Sequence, residues 1–115
     1  MSNYQVLKQA EGEFVNMIEG IKRKTLVFGD KTMLCKFHLD QGAKVPIHSH
    51  PYEQTGYLLS GKLIFTIDSK VHEVNAGDSW SIKAEVEHGA EVSEPTILIE
   101  AFAPIREDYL QALSV

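Results

Sequence analysis

The amino-acid sequence predicts an all-β domain built as an antiparallel sandwich or barrel, and three observations support this prediction. Every second residue from Met33 to Leu39 is apolar, which is typical of a half-buried strand. Turn signals recur every eight to twelve residues or so along most of the chain. The runs between them, such as Leu63–Ile67 and Thr96–Ile99, are short and rich in Val, Ile, Leu, Phe and Thr.

The individual elements follow from local residue chemistry. The first twelve residues are predicted as either a strand or a loop, and Lys22-Arg23-Lys24 is predicted as a solvated turn. Gly29-Asp30 and Ser60-Gly61 stand between apolar stretches and predict two hairpin turns. Pro104 followed by acidic residues predicts a short C-terminal helix or turn over Ile105–Leu113. The other turn signals lie at Asp40-Gln41-Gly42, Asp68-Ser69, Asn75-Ala76-Gly77-Asp78 and Ser93-Glu94-Pro95.

Length and composition exclude several classes of protein. A chain of 115 residues with a net charge of −5 and one cysteine predicts a single domain over residues 1–115 without disulfides, in a reducing, cytoplasmic compartment. The longest apolar runs, about four residues, are far shorter than the roughly 18 that a membrane span needs. No signal peptide is recognisable at the start of the sequence. The eleven basic residues are scattered, so a nucleic-acid partner is not expected.

Three of the five histidines form the strongest functional signal. His48 and His50 are two residues apart, so in a strand they project from one face, where a shared metal cation would offset the cost of burying both rings. Gln54 re-enters that face after a bend, and His88 comes from a later strand that barrel closure could bring alongside. The alternative is a His-x-His pair that binds nothing. His38 and His72 have no partner at ligand spacing and are expected at the surface or in cross-strand contacts.

The spacing around these histidines resembles the cupin superfamily. Gly42, His48-x-His50, Gln54 and Gly61 match its first motif, whose usual form has Glu where Gln54 stands. Gly77-Asp78 and His88 are similar to its second motif, although Lys83-Ala84-Glu85 replaces the usual Pro-x-Gly turn and Val92 replaces a frequent Asn.

The cupin resemblance covers about residues 26–106 and has two implications. The first is a double-stranded β-helix, or jelly-roll barrel, with a short C-terminal helical tail. The second is one divalent transition metal (Ni, Mn, Fe, Zn or Cu) held by His48, His50, Gln54 and His88. Because all four ligands are neutral, the full charge stays on the ion, and such a site attracts anionic ligands.

A second informative stretch is the apolar run that contains Glu100. Alternation places Leu98, Glu100 and Phe102 on one face, so Glu100 lines the cavity if its two neighbours do. The alternative is a solvent-facing Glu on an edge strand. Arg106 follows where this strand leaves the barrel mouth, and the alternative for it is a surface ion pair with Glu107 or Asp108.

The segment at the end of the last predicted strand narrows the resemblance to one group of cupins. Acid-x-Phe-x-Pro-x-Arg after the histidine motif is similar to small single-domain cupins of the pectin-degradation KdgF type, although their acid is usually Asp. This resemblance implies catalytic roles for Glu100, Phe102 and Arg106 in opening cyclic 4,5-unsaturated uronates, from pectin or alginate breakdown, toward the open-chain keto form. It also implies a small anionic substrate. Stand-alone cupins commonly dimerise, so a homodimer is expected.

Two other functions remain open at the level of sequence. One is a metal-dependent dioxygenase on the same scaffold, and the other is a non-catalytic cupin that binds a metal or a small molecule. Cys35 lies on the apolar face of its strand and is interpreted as a packing residue. Tyr52 and Glu53 could rim the pocket, and Trp80 could line the cavity or pack the barrel.

Overall fold

The computed structural model describes residues 3–110, which form a β-sandwich with one short helix. The strands are β1 (Val15–Ile18), β2 (Ile21–Phe28), β3 (Met33–Leu39), β4 (Lys44–His48), β5 (Glu53–Ile67), β6 (Lys70–Asn75), β7 (Ser79–Ile82) and β8 (His88–Ala103), followed by helix α1 (Glu107–Leu110). Every strand pairing is antiparallel. The predicted all-β class with a C-terminal helical piece is therefore confirmed, whereas positions 111–113 of the predicted helix lie outside the described residues.

The two long strands, β5 and β8, belong to both layers of the sandwich. The first half of β5 pairs with the second half of β8, and this pair is extended by β3, β2 and β1 on one side and by β7 on the other. The second half of β5 pairs with the first half of β8, with β6 and β4 as the outer strands. Apolar side chains from both layers form one core between them.

The bend that carries the two long strands from one layer to the other explains a wrong turn prediction. Ser60-Gly61 is not a hairpin turn, because β5 continues through it with a shift in register. Gly61 has a φ of +97°, and a Cβ there would lie 2.3 Å from the carbonyl oxygen of Pro95 on β8. Glycine marks this site because only glycine lets the two backbones approach so closely. The predicted turn at Ser93-Glu94-Pro95 likewise lies within β8.

Other local predictions had mixed outcomes. The turn at Gly29-Asp30 is confirmed, since it joins β2 to β3. Lys22-Arg23-Lys24 is not a solvated turn but part of β2, where Arg23 and Lys24 are buried. Arg23 points inward with its guanidinium 4.1 Å from the centre of the Tyr109 ring. Within residues 3–110, no helix is both long and apolar enough to cross a membrane.

Candidate metal centre

The pairing of β4 with β8 brings the three predicted histidines together. His48 and His88 are directly opposite each other in this pair, with ring centres 4.4 Å apart. His50 follows just beyond the end of β4, and its ring centre lies 4.9 Å from that of His88. One ring nitrogen from each of the three residues lies within 4.8 Å of the others, so the three histidines are positioned to bind a metal ion.

Backbone carbonyls determine which nitrogen two of these rings present. The Nδ1 of His48 lies 2.8 Å from the carbonyl oxygen of Pro46, and the Nδ1 of His88 lies 2.9 Å from that of Val86. Since a carbonyl oxygen only accepts hydrogen bonds, Nδ1 carries the proton in the neutral ring and Nε2 keeps its lone pair. This is the arrangement that metal-binding histidines adopt.

Gln54 supplies the fourth candidate ligand, in the first half of β5. Its side chain is buried, and its Nε2 donates a hydrogen bond of 2.6 Å to Oε2 of Glu100. Its Oε1 is also buried and has no hydrogen-bond partner among the described residues. A buried amide oxygen without a partner is costly, and a metal ion would satisfy it. The residues present therefore fit a divalent transition metal held by three imidazoles and one amide oxygen.

Glu100 lies inside the cavity and not on a solvent-facing edge. It is 9% exposed, on β8, which is a central strand with β3 on one side and β5 on the other. Its Oε2 accepts hydrogen bonds from Gln54 and from Nε1 of Trp80, which is 2.9 Å away. Burial raises the pKa of Glu100 to about 7, while the hydrogen bonds from Trp80 and Gln54 and the charge of Arg106 act in the opposite direction.

Trp80 reaches Glu100 across an intervening strand because Gly56 leaves the space. Gly56 is the cross-strand neighbour of Trp80 on one side and of Glu100 on the other. A Cβ at this position would lie 2.2 Å from the indole. The sequence left the role of Trp80 undecided, and a glycine inside a strand, which often marks a close approach of another group, was the one local signal at this site.

Arg106 combines both of the predicted alternatives. Its side chain borders the cavity, and its guanidinium lies 3.9 Å from the ring centre of Tyr109, 4.9 Å from that of Tyr52 and 5.1 Å from that of Phe102. It also donates two hydrogen bonds to the carboxylate of Asp108, from Nε at 3.4 Å and from Nη2 at 3.1 Å. The arginine is thus fixed by aromatic rings and by one neighbouring acid.

The candidate ligands, Glu100, Phe102 and Arg106 all line one cavity of about 350 Å³. Polar groups occupy one part of its wall, and the remainder is apolar. The apolar wall consists of Met17, Ile18, Ile21, Phe37, Leu39, Val45, Leu63, Phe65, Ala90, Leu98 and Phe102.

Burial is the largest factor that lowers the pKa of both His50 and His88, which favours their neutral, metal-binding forms.

The remaining candidate residues lie away from this centre. The ring centre of His38 lies 4.3 Å from that of Phe14, and His72 is exposed on β6. Cys35 is fully buried, and burial raises the pKa of its thiol to about 11.

Tyr109 is a cavity residue that the sequence analysis did not identify. Its buried ring borders the cavity and contacts Arg106.

Comparisons with known proteins agree with this geometry. The family model described as Cupin domain matches residues 35–102, more than half of the chain. The chain is 30% identical over 94 residues to the pectin degradation protein KdgF of Dickeya dadantii, an alignment covering 80% of this chain and 86% of that protein.

Solved structures show the same similarity. An RmlC-like cupin from Shewanella frigidimarina superposes with a TM-score of 0.87 at 31% identity, covering 92% of this chain and 96% of that one. KdgF from Halomonas sp. superposes with a TM-score of 0.87 at 25% identity, covering 91% and 97%. On the family match, the shared fold and its three clustered histidines, this chain belongs to the cupin family.

Proposed function

We propose that this chain is a metal-dependent enzyme that converts cyclic 4,5-unsaturated uronates, released from pectin or alginate, toward their open-chain keto form. The observation that carries the proposal is the buried carboxylate of Glu100 in the same cavity as the three histidines. Burying a carboxylate costs free energy, and an acid in the same cavity as a metal centre supplies the proton transfer that ring opening requires. The similarity to two proteins named KdgF, one of them described as a pectin degradation protein, supports this choice of substrate.

The charges of the cavity support an anionic substrate. The four candidate ligands, His48, His50, Gln54 and His88, are neutral and do not offset the charge of a divalent ion. Arg106 brings a guanidinium to the cavity wall, where Asp108 is its one acidic partner among the described residues. A guanidinium binds a carboxylate well, so we assign Arg106 to the carboxylate of the uronate.

The reaction redistributes protons without gain or loss of atoms. Opening the cyclic hemiacetal and forming the ketone moves protons among the ring oxygen, a hydroxyl and a carbon. We assign this proton transfer to the carboxyl group of Glu100, which Trp80 and Gln54 hold by one oxygen. Phe102 shapes the pocket beside it and packs against Arg106. When bound, the metal supplies Lewis-acid polarisation of the substrate's oxygen atoms.

The test compares Glu100→Gln with wild type. Turnover is followed by the loss of ultraviolet absorbance of the 4,5 double bond, and metal content is measured by elemental analysis. We expect E100Q to lose turnover by a factor of at least about 10² while keeping its metal, because Gln cannot transfer the proton. Glu107→Gln is the matched control, since Glu107 is exposed on α1 and should tolerate the same change. Full activity of E100Q would contradict the assignment.

Adding a measurement of oxygen consumption to this assay separates the proposed reaction from the other two functions. A dioxygenase would consume oxygen, which ring opening does not, so an oxygen electrode distinguishes them directly. A metal-loaded protein that neither turns over uronates nor consumes oxygen would indicate a binding module. The homodimer expected from the sequence stays a prediction, which light scattering of the purified chain tests.

A further inference from the structure

The amide of Gln54 has two chemically different ends, and its neighbours decide which end faces the histidines. Its nitrogen donates to Oε2 of Glu100 at 2.6 Å, its oxygen is buried without a partner of good geometry among the described residues, and the side chain also reaches the ring of His50. Rotating the amide by half a turn would bring its oxygen against the carboxylate and its N–H₂ group toward the metal centre. Both contacts would be repulsive, since neither carboxylate oxygen of an ionised Glu donates and an N–H₂ group does not bind a cation.

The carboxylate that orients Gln54 is itself held in place. Trp80 donates from Nε1 to the same oxygen of Glu100 at 2.9 Å, and an indole N–H is a donor only. Any group at position 100 that keeps both contacts must therefore present an acceptor at this point. The indole lies in the space left open by Gly56, where a Cβ would lie 2.2 Å from it.

We propose that Glu100 is a positioning residue for metal binding, because it turns the oxygen of Gln54 toward the three histidines. This role rests on the metal centre in the proposed function and is separate from proton transfer by the same side chain. It also explains why Gln at position 54 suits this chain. A Glu there, as in the usual cupin motif, would place a second carboxylate 2.6 Å from the first.

The test measures the Kd for Zn²⁺ by competition with a chromophoric chelator in wild type, Glu100→Leu and Glu100→Gln. Both variants lack the charge of Glu100, but only E100Q keeps a hydrogen-bond acceptor. Because the indole N–H of Trp80 can only donate, it should orient the amide oxygen of the new Gln toward itself and toward the nitrogen of Gln54. We expect E100L to bind Zn²⁺ about tenfold or more weakly than E100Q, the usual effect of losing a group that orients a metal ligand. The melting temperature of each metal-free variant checks folding. Glu100→Met replaces E100L if the latter does not fold.

A double-mutant cycle shows whether the effect acts through Gln54. In a Gln54→Ala background, E100L and E100Q should bind Zn²⁺ equally, because no amide is left to orient. A difference that persists in that background, or equal affinities of E100L and E100Q with Gln54 present, would overturn the inference alone. A wild-type chain that does not bind Zn²⁺ would overturn both the metal centre and the inference.

Discussion

The substitution Gly56→Ala tests the packing on which the buried carboxylate depends. The new Cβ would lie 2.2, 2.3 and 2.4 Å from Cε2, Cζ2 and Nε1 of Trp80, whereas ordinary contacts begin at 3.4 Å. The indole must therefore retreat by about 1.2 Å, the difference between 2.2 and 3.4 Å. Its hydrogen bond to Glu100, now 2.9 Å long, would break with such a shift.

The expected loss of stability is the sum of two costs. Overpacking a well-filled site costs about 1–3 kcal/mol, and losing a hydrogen bond to a charged group costs about 1.5–3 kcal/mol. Replacing Gly by Ala returns about 0.4–1 kcal/mol by restricting the unfolded chain. The net decrease in the free energy of unfolding is thus about 1.5–5.6 kcal/mol, which lowers Tm by roughly 6–22 °C in a domain of this size.

The assay uses the intrinsic fluorescence of the chain, because Trp80 is its single tryptophan. We expect the emission spectrum of G56A to change before heating and the melting curve to shift downward. Gly29→Ala is the matched control, since no atom lies within 4 Å of its added Cβ. G29A should change the free energy of unfolding by no more than about 0.5 kcal/mol.

Two results would refute this reasoning. One is a G56A variant with the emission and Tm of G29A, which would mean that the indole does not occupy the space over Gly56. The other is an unchanged cost of G56A in a Trp80→Leu background. Leu lacks the ring atoms that the Cβ would meet, so the cost should fall there if the contact is the cause.

Three further predictions concern other parts of the molecule. Gly61→Ala should lower the free energy of unfolding, measured by chemical denaturation, by about 3 kcal/mol or more, because φ is positive there and the new Cβ would meet the carbonyl oxygen of Pro95. A decrease below about 1 kcal/mol would contradict the close approach of the two strands. At pH 8 the Cys35 thiol, whose pKa is raised to about 11 from 9.0, should react about a hundredfold more slowly with a thiol reagent than in the denatured chain. Equal reaction rates in the native and denatured chains would contradict the burial of this thiol. The protonated thiol also contributes to the free energy of unfolding below pH 9, and this contribution is lost as the pH rises toward 11. Asp108→Asn should change Tm little, because Asp108 is exposed. The same change should lower the KM for a uronate, because Arg106 would no longer be paired with a carboxylate. A raised KM would show instead that Asp108 positions the arginine.

The extent of the fold that was predictable follows from which signals are local. The alternation over Met33–Leu39 and the turn at Gly29-Asp30 predicted β3 and its hairpin, because both depend on neighbouring residues only. The interpretation of Ser60-Gly61 as a turn was wrong because a glycine that permits a chain reversal also permits a close approach of two strands. Only the position of β8 distinguishes the two cases, since a Cβ at Gly61 would lie 2.3 Å from the carbonyl oxygen of Pro95.

The sequence by itself determined the fold class, the candidate metal ligands and the family resemblance, since these follow from residue type and spacing along the chain. The tertiary structure alone decided that Glu100 is buried and that Trp80 and Gln54 both donate to one of its oxygens. These three residues are separated by 20 and 46 positions and meet only because β7, β5 and β8 are neighbours. Hydrogen bonds depend on distance in space, which strand pairing sets and local sequence does not encode.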